Sequence, residues 1–197
     1  MLDSINNIKI EKNEINGFTD GIRCKLQGTS DSIIENRIYN VNTTGISIEG
    51  ESTVVQKNRI INSANIVGIY IKSKNAKIQQ NRMLNLTESE GIRIEGKRNI
   101  ISNNFINITG FGIAKGIVVN VGSDSSKIIH NSTNITSTDQ IKGKAIEING
   151  GNNLQVKNNI FSNKGGGFAA YISSNTLPLN MSTGWNTNSY YTPTYKI

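Results

Sequence analysis

The chain has 197 residues, 36% of them hydrophobic, enough for one domain with a continuous core. It carries a formal charge of +7, which favours acidic partners. Cys24 is the only cysteine, which excludes an intrachain disulfide and reads as a plain core residue. No apolar run approaches the ~20 residues of a membrane-spanning helix, so membrane insertion is not expected. The opening segment MLDSINNIKI lacks a basic stretch and a long apolar run, so no signal peptide is visible in the chain.

Abundant asparagine, serine and threonine with 19 glycines make a turn-rich β composition. The stretch GIRIEGKRNIISNNFIN, Gly91 to Asn107, is the repeating unit; GISIEG begins at Gly45 and GIYIKS at Gly68. Aligning on asparagine gives Asn13, Asn36, Asn58, Asn81, Asn103, Asn131 and Asn159, at intervals of 23, 22, 23, 22, 28 and 28 residues. Three residues before each lies Ile10, Ile33, Val55, Ile78, Ile100, Ile128 or Val156; two after lies Ile15, Ile38, Ile60, Met83, Phe105, Thr133 or Phe161. The glycine-led strands supply Ile22 and Cys24, Ile46 and Ile48, Ile69 and Ile71, Ile92 and Ile94, Ile117 and Val119, then Ile146 and Ile148. Their period-2 alternation buries one face. Three short strands per period, stacked like on like, make a coil that rises by ~4.8 Å, and about seven coils make a rod of roughly 30 Å. A stacked amide both donates and accepts, so the register asparagines are expected to form a hydrogen-bonded ladder.

These motifs, GIxIxG followed by IxxNxIxN at 22 to 28 residues per coil, resemble the right-handed parallel β-helix repeat of pectate-lyase-like proteins, over about residues 4 to 172. The end, VKNNIFSNKGGGFAAYISSN and then NTNSYY, is similar to the close of β-helix modules in large secreted bacterial surface proteins. The expected architecture is all-β: a single-stranded β-helix over residues 1–175, then an irregular, aromatic-rich tail or cap over 176–197. The resemblance implies a secreted or cell-surface location. With no amphipathic helix before the first half-coil, the chain reads as a module of a longer protein, capped by a flanking domain.

Outward positions form columns. On the glycine-led strand these are Lys25, Glu49, Lys72, Glu95, Asn120 and Asn149, an alternation that suggests cross-strand pairs, beside Arg23, Ser47, Tyr70, Arg93, Val118 and Glu147. Tyr70 beside Arg93 suits an acidic sugar ring. After the register asparagine, Arg37, Arg59 and Arg82 stack as a basic stripe suited to a polyanion, next to an outward apolar column of Tyr39, Ile61, Leu84 and Ile106 that the tail or a neighbour is expected to cover. Insertions at Ile108–Lys115 and Thr136–Lys144 are expected to wall a cleft over Arg93, Asn120 and Glu147. The ligand-binding candidates are therefore Tyr70, Arg93, Glu95, Asn120, Glu147, Arg37, Arg59 and Arg82.

No catalytic residue, metal ligand or cofactor is assigned. No two acids are column neighbours on the glycine-led strand, the five aspartates scatter over turns, and His130 reads as a surface residue in a column with Lys12, Glu35, Lys57, Gln80 and Ser102. The expected role is a non-catalytic structural or binding module contacting an acidic polysaccharide or a neighbouring domain. The alternative is a polysaccharide lyase, hydrolase or epimerase domain. Nucleic acid is not an expected partner, because basic residues alternate with acids and no aromatics interleave with them.

Overall fold

The computed structural model describes residues 6–25, 29–173 and 184–193. Three strands make each of seven coils, beginning with Lys9–Glu11, Glu14–Asn16 and Asp20–Cys24 and ending with Gln155–Lys157, Ile160–Asn163 and Phe168–Ile172. Strands of successive coils pair in parallel, giving a first and a second sheet of eight strands and a third, glycine-led sheet of seven. The chain is thus the expected parallel β-helix, with each sheet forming one wall.

Inside, aliphatic side chains stack on aliphatic side chains. Ile33, Val55 and Ile78 line the first wall, Ile38, Ile60 and Met83 the second, and Ile46, Ile69, Ile92 and Ile117 the third, all at 0% exposure. Burying each such side chain contributes about 2–3 kcal/mol before chain entropy is counted. The small residue near the start of each third-sheet strand, glycine in coils one to five and Ala145 and Ala169 in coils six and seven, lets the walls close on one another. A Cβ at Gly91 would lie 2.6 Å from the Gly116 carbonyl oxygen and 2.6 Å from Ile106 Cγ2. Because this residue and the isoleucine after it are both buried, the residue before the glycine and the one three further on emerge on the same outer face.

The corner between the first and second sheets is one residue in the left-handed conformation followed by a buried asparagine. Lys12, Glu35, Lys57, Gln80, Asn103, His130, Asn158 and Thr187 hold φ between 53° and 58°. Each following amide bonds to the next coil. Asn36 donates from N and Nδ2 to Asn58 Oδ1 at 2.9 and 3.0 Å. Asn58 does the same to Asn81 Oδ1 at 2.9 and 3.1 Å, and its Nδ2 also reaches Ile33 O at 2.8 Å. The run extends from Asn13 through Asn104, Asn131 and Asn159 to Asn188.

Coil five differs from the expected register by one residue. Asn104, not Asn103, is the buried amide, so Ile101 and Ile106 point inward while Ile100 and Phe105 point out. The stretch IISNNFIN is apolar on both faces, so its alternation does not select a register, and a one-residue slip turns every side chain over. The amide ladder shows which register is taken: Asn104 accepts from Asn81 and donates to Asn131, which sets Ile106 against Gly91. Asn103, not Ser102, then takes the left-handed corner, which asparagine tolerates well. The outward apolar column accordingly ends at Leu84, and Ile106 is core.

Within the segment expected to have left the repeat, Trp185–Asn186 and Ser189–Tyr191 pair with coil seven, and the Tyr190 ring stacks on Phe161 at 5.8 Å. The motif NTNSY keeps the ladder asparagine and, two residues on, the aromatic of KNNIF one coil earlier. These described tail residues lie at the far end of the rod from Tyr39, Ile61 and Leu84 and do not cover them. The rest of the tail, 176–183 and 194–197, falls outside the described residues.

Adjacent asparagines of coil five give a sharp test. Asn104→Ala strips a buried Nδ2 bond to Ile78 O and leaves the N–H and amide of Asn81 without their acceptor. It is expected to destabilise by about 3 kcal/mol. Asn103→Gly, at φ 56°, is expected to stay within about 0.5 kcal/mol of the parent. Urea denaturation of the two variants checks both values.

Candidate functional site

The outer face of the third sheet gathers charged and aromatic side chains from coils three to seven. Register stacks Tyr70 on Arg93, then Val118, Glu147 and Tyr171. A parallel column, one residue before that glycine or alanine, stacks Glu90, Lys115, Lys144 and Phe168. The outward turn at the glycine joins the two columns. Arg93 Nε donates to Glu90 Oε2 at 2.7 Å, Lys115 Nζ lies 2.7 Å from Glu147 Oε2 and 4.0 Å from Glu90 Oε1, and Lys144 Nζ bonds the other oxygen of Glu147. Glu147 is only 4% exposed, although it points outward, because the two lysines lie over it.

Burial pushes the Glu147 carboxyl up, but Lys115 and Lys144 more than offset that and hold it below the usual carboxylate range. The bond to Glu90 raises Arg93 further. Tyr70 is pushed up by burial and by donating its hydroxyl to Glu95. Its ring already has Arg93 at 5.6 Å and Lys72 at 5.4 Å, so the open face expected for a sugar ring is engaged by the protein's own cations. Lys144 sits 3.8 Å from the Tyr171 ring centroid. The network is charged but self-neutralised.

Glu95 and Asn120 join this neighbourhood: Asn120 Nδ2 donates to Glu95 Oε1 at 3.2 Å, and Asn149 Nδ2 to Asn120 Oδ1 at 3.1 Å. The column Lys25, Glu49, Lys72, Glu95 is in register, yet among the described residues no ion pair joins Lys72 to Glu49 or Glu95. A groove of about 420 Å³ runs along coils two to five, lined by Thr44, Val67, Tyr70, Glu90, Arg93 and Ile113 among others. Only one insertion, Ile113, walls it. Of the residues expected beneath a cleft, Arg93 lines this groove, while Lys115 and Lys144 lie over Glu147.

The arginine stripe lies elsewhere, on the second sheet. Arg37, Arg59 and Arg82 pair in register on consecutive coils and are all exposed. Arg37 leans over the Tyr39 ring at 5.8 Å, and Arg59 and Arg82 have no ion-pair partner among the described residues. The candidates thus form two groups on different walls, a closed one and an open one.

Sequence reasoning passed over Glu90, Lys115 and Lys144, and the signal was there. Asp20 and Arg23, Glu90 and Arg93, and Lys144 and Glu147 are opposite charges three residues apart, and each pair is bridged in the structure. On a regular strand i and i+3 face opposite ways, so the spacing means nothing until the glycine bend is known.

Because Glu147 is held below its unfolded value, its contribution to stability is present above about pH 4.5 and is lost as pH falls through its folded value. Glu147→Gln should cost about 2 kcal/mol at pH 7 by leaving two lysines unpaired, and the gap should close in acid. Melting temperatures of both proteins from pH 7 down to about pH 2.5 check this.

Residues 1–134 match the family described as periplasmic copper-binding protein (NosD). No curated protein is similar enough in sequence to count as a relative. Among solved structures, DFA-IIIase from Arthrobacter chlorophenolicus A6 without its lid aligns at 12% identity with a TM-score of 0.49, over 93% of this chain and 55% of its own. The chain therefore spans about half the length of that enzyme. Copper is held by histidine, cysteine and methionine donors. Here His130 is exposed on a corner, Cys24 is half-buried on the third sheet and Met83 is sealed in the core. Among the described residues no three His, Cys, Asp or Glu side chains gather to hold an ion, so these residues do not fit a copper centre. The match extends over more than half of the 197 residues, and the chain belongs to the NosD family of periplasmic proteins.

Proposed function

We propose that this chain is a non-catalytic module of a bacterial cell-envelope protein, a stiff rod that holds polysaccharide or a neighbouring domain on its walls. The state of the third-sheet carboxylates carries the reading. Glu147 is clamped by two lysines below its usual range, and Glu90 is bonded to Arg93 with Lys115 beside it. A general acid needs a raised value near the working pH, and the two lysines hold Glu147 the other way. The periplasmic setting of the family supports an envelope location. Its copper-binding description does not carry over to the described residues, and no step is built on the metal.

One observation favours the rival reading, a glycan-acting enzyme. Glu90 Oε1 and Glu147 Oε2 lie 4.0 and 2.7 Å from the same Lys115 ammonium, so these two carboxylate oxygens are less than about 7 Å apart, close enough for an inverting carboxylate pair.

Incubation with polyuronates and with neutral glycans, with and without calcium, separates the two. The expected result is retention on a polysaccharide with neither unsaturated nor reducing-end products. Product release abolished in Glu147→Gln would replace the module reading with the enzyme one.

A further inference from the structure

We infer that the second-sheet wall of coils two to four is a binding site for a linear carboxylate-bearing polysaccharide, lying along the rod axis with its acid groups on Arg37, Arg59 and Arg82. The inference rests on the binding-module reading and assigns it a place and a ligand chemistry.

The charge is unevenly placed. The first sheet, its left-handed corner and the arginine column together hold nine lysines and arginines against Glu11, Glu14 and Glu35, so six of the seven net charges lie along one side of the rod. Within that side the three arginines are the densest element. They stand on consecutive rungs, exposed, at a backbone spacing of about 4.8 Å. Guanidinium groups this close repel one another, and folding gains nothing visible in return, since Arg59 and Arg82 have no ion-pair partner among the described residues. On the third sheet, by contrast, the partly buried Arg93, Lys115 and Lys144 each meet a carboxylate.

The stripe belongs to a three-column surface. Beside the arginines run Tyr39, Ile61 and Leu84, half-buried, and beside those the exposed Asn40, Asn62 and Asn85, where Asn85 Nδ2 donates to Asn62 Oδ1 at 3.1 Å. Cation, apolar and amide columns in parallel match the three chemistries of an acidic sugar chain: carboxylate, C–H face and hydroxyls. Other polyanions fit less well. A single aromatic, Tyr39, gives bases no stacking platform. The face is a closed ladder, so an acidic peptide has no strand edge to join. A lipid surface would need a broad basic plane, and the arginines are one residue wide.

The test uses the full chain with polygalacturonate and its fully methyl-esterified form, which share a backbone and differ in charge. Isothermal titration at low salt compares the parent, an Arg37→Ala, Arg59→Ala, Arg82→Ala triple variant, and a control Lys97→Ala, Lys142→Ala, Lys164→Ala triple that loses the same charge elsewhere. The acid form is expected to bind and the ester not to. The arginine triple should lose about tenfold or more in affinity and the lysine triple about twofold or less. The arginine triple should keep its melting temperature, because removing stacked like charges relieves repulsion. Equal losses in both triples, equal binding of the ester, or tighter binding of a single-stranded oligonucleotide would overturn the inference. Polygalacturonate binding that survives loss of the arginines sinks the stripe and leaves the module reading standing. Cleaved products, with affinity still lost in the arginine triple, do the reverse.

Discussion

A buried side-chain amide, bonded to the amide above and the amide below, sets the geometry on which the rest of the molecule depends. At each first-to-second sheet corner the chain must turn sharply while its polar groups are removed from water. Asn58 shows how the turn is closed. Its Oδ1 takes both donors of Asn36, and its own N and Nδ2 go to Asn81, with Ile33 O as a further partner. A buried group left unmade there would cost about 1–3 kcal/mol. The next coil has to lie one rung away and in register to complete the set. Registry of every other column, inside and out, follows from that requirement.

Registry in turn makes surface chemistry additive along the axis. Two walls use it in opposite ways. On the third, stacking brings Glu90, Lys115, Glu147 and Lys144 into a continuous chain of opposite charges, so burial of Glu147 is compensated and its carboxylate stays ionised. On the second, stacking repeats one charge, and the arginines stand with nothing between them. A self-neutralised network gives an incoming anion little, since it must compete with carboxylates already in place. An unpaired file of guanidinium groups has only water to lose. That contrast separates two sets of residues that look equally suitable when read as text.

How far the structure could be read in advance follows from the same physics. The repeat, the core columns Ile33–Val55–Ile78 and Ile46–Ile69–Ile92, and the stacking of the three arginines were legible, because identical spacing forces identical placement. Coil five was not, since Ile100 and Ile101, Asn103 and Asn104, and Phe105 and Ile106 are each interchangeable to a pattern. The ion pairs of the third wall were hidden for a related reason. They depend on a bend that turns Glu90 and Arg93 to one side, and a strict two-residue alternation places them on opposite sides. The two short strands within the tail were not legible, because prolines and aromatics obscured a short amide motif around Asn188.

The left-handed corner residue has one further consequence. What that position demands is a backbone angle, and lysine, glutamate, glutamine, asparagine, histidine and threonine all satisfy it here. No side chain is required for the turn itself, because the neighbouring amide does the bonding. One edge of the rod can therefore exchange its sign and chemistry from coil to coil while the architecture beneath stays fixed, leaving a line of positions on which new specificities can be written without refolding the protein.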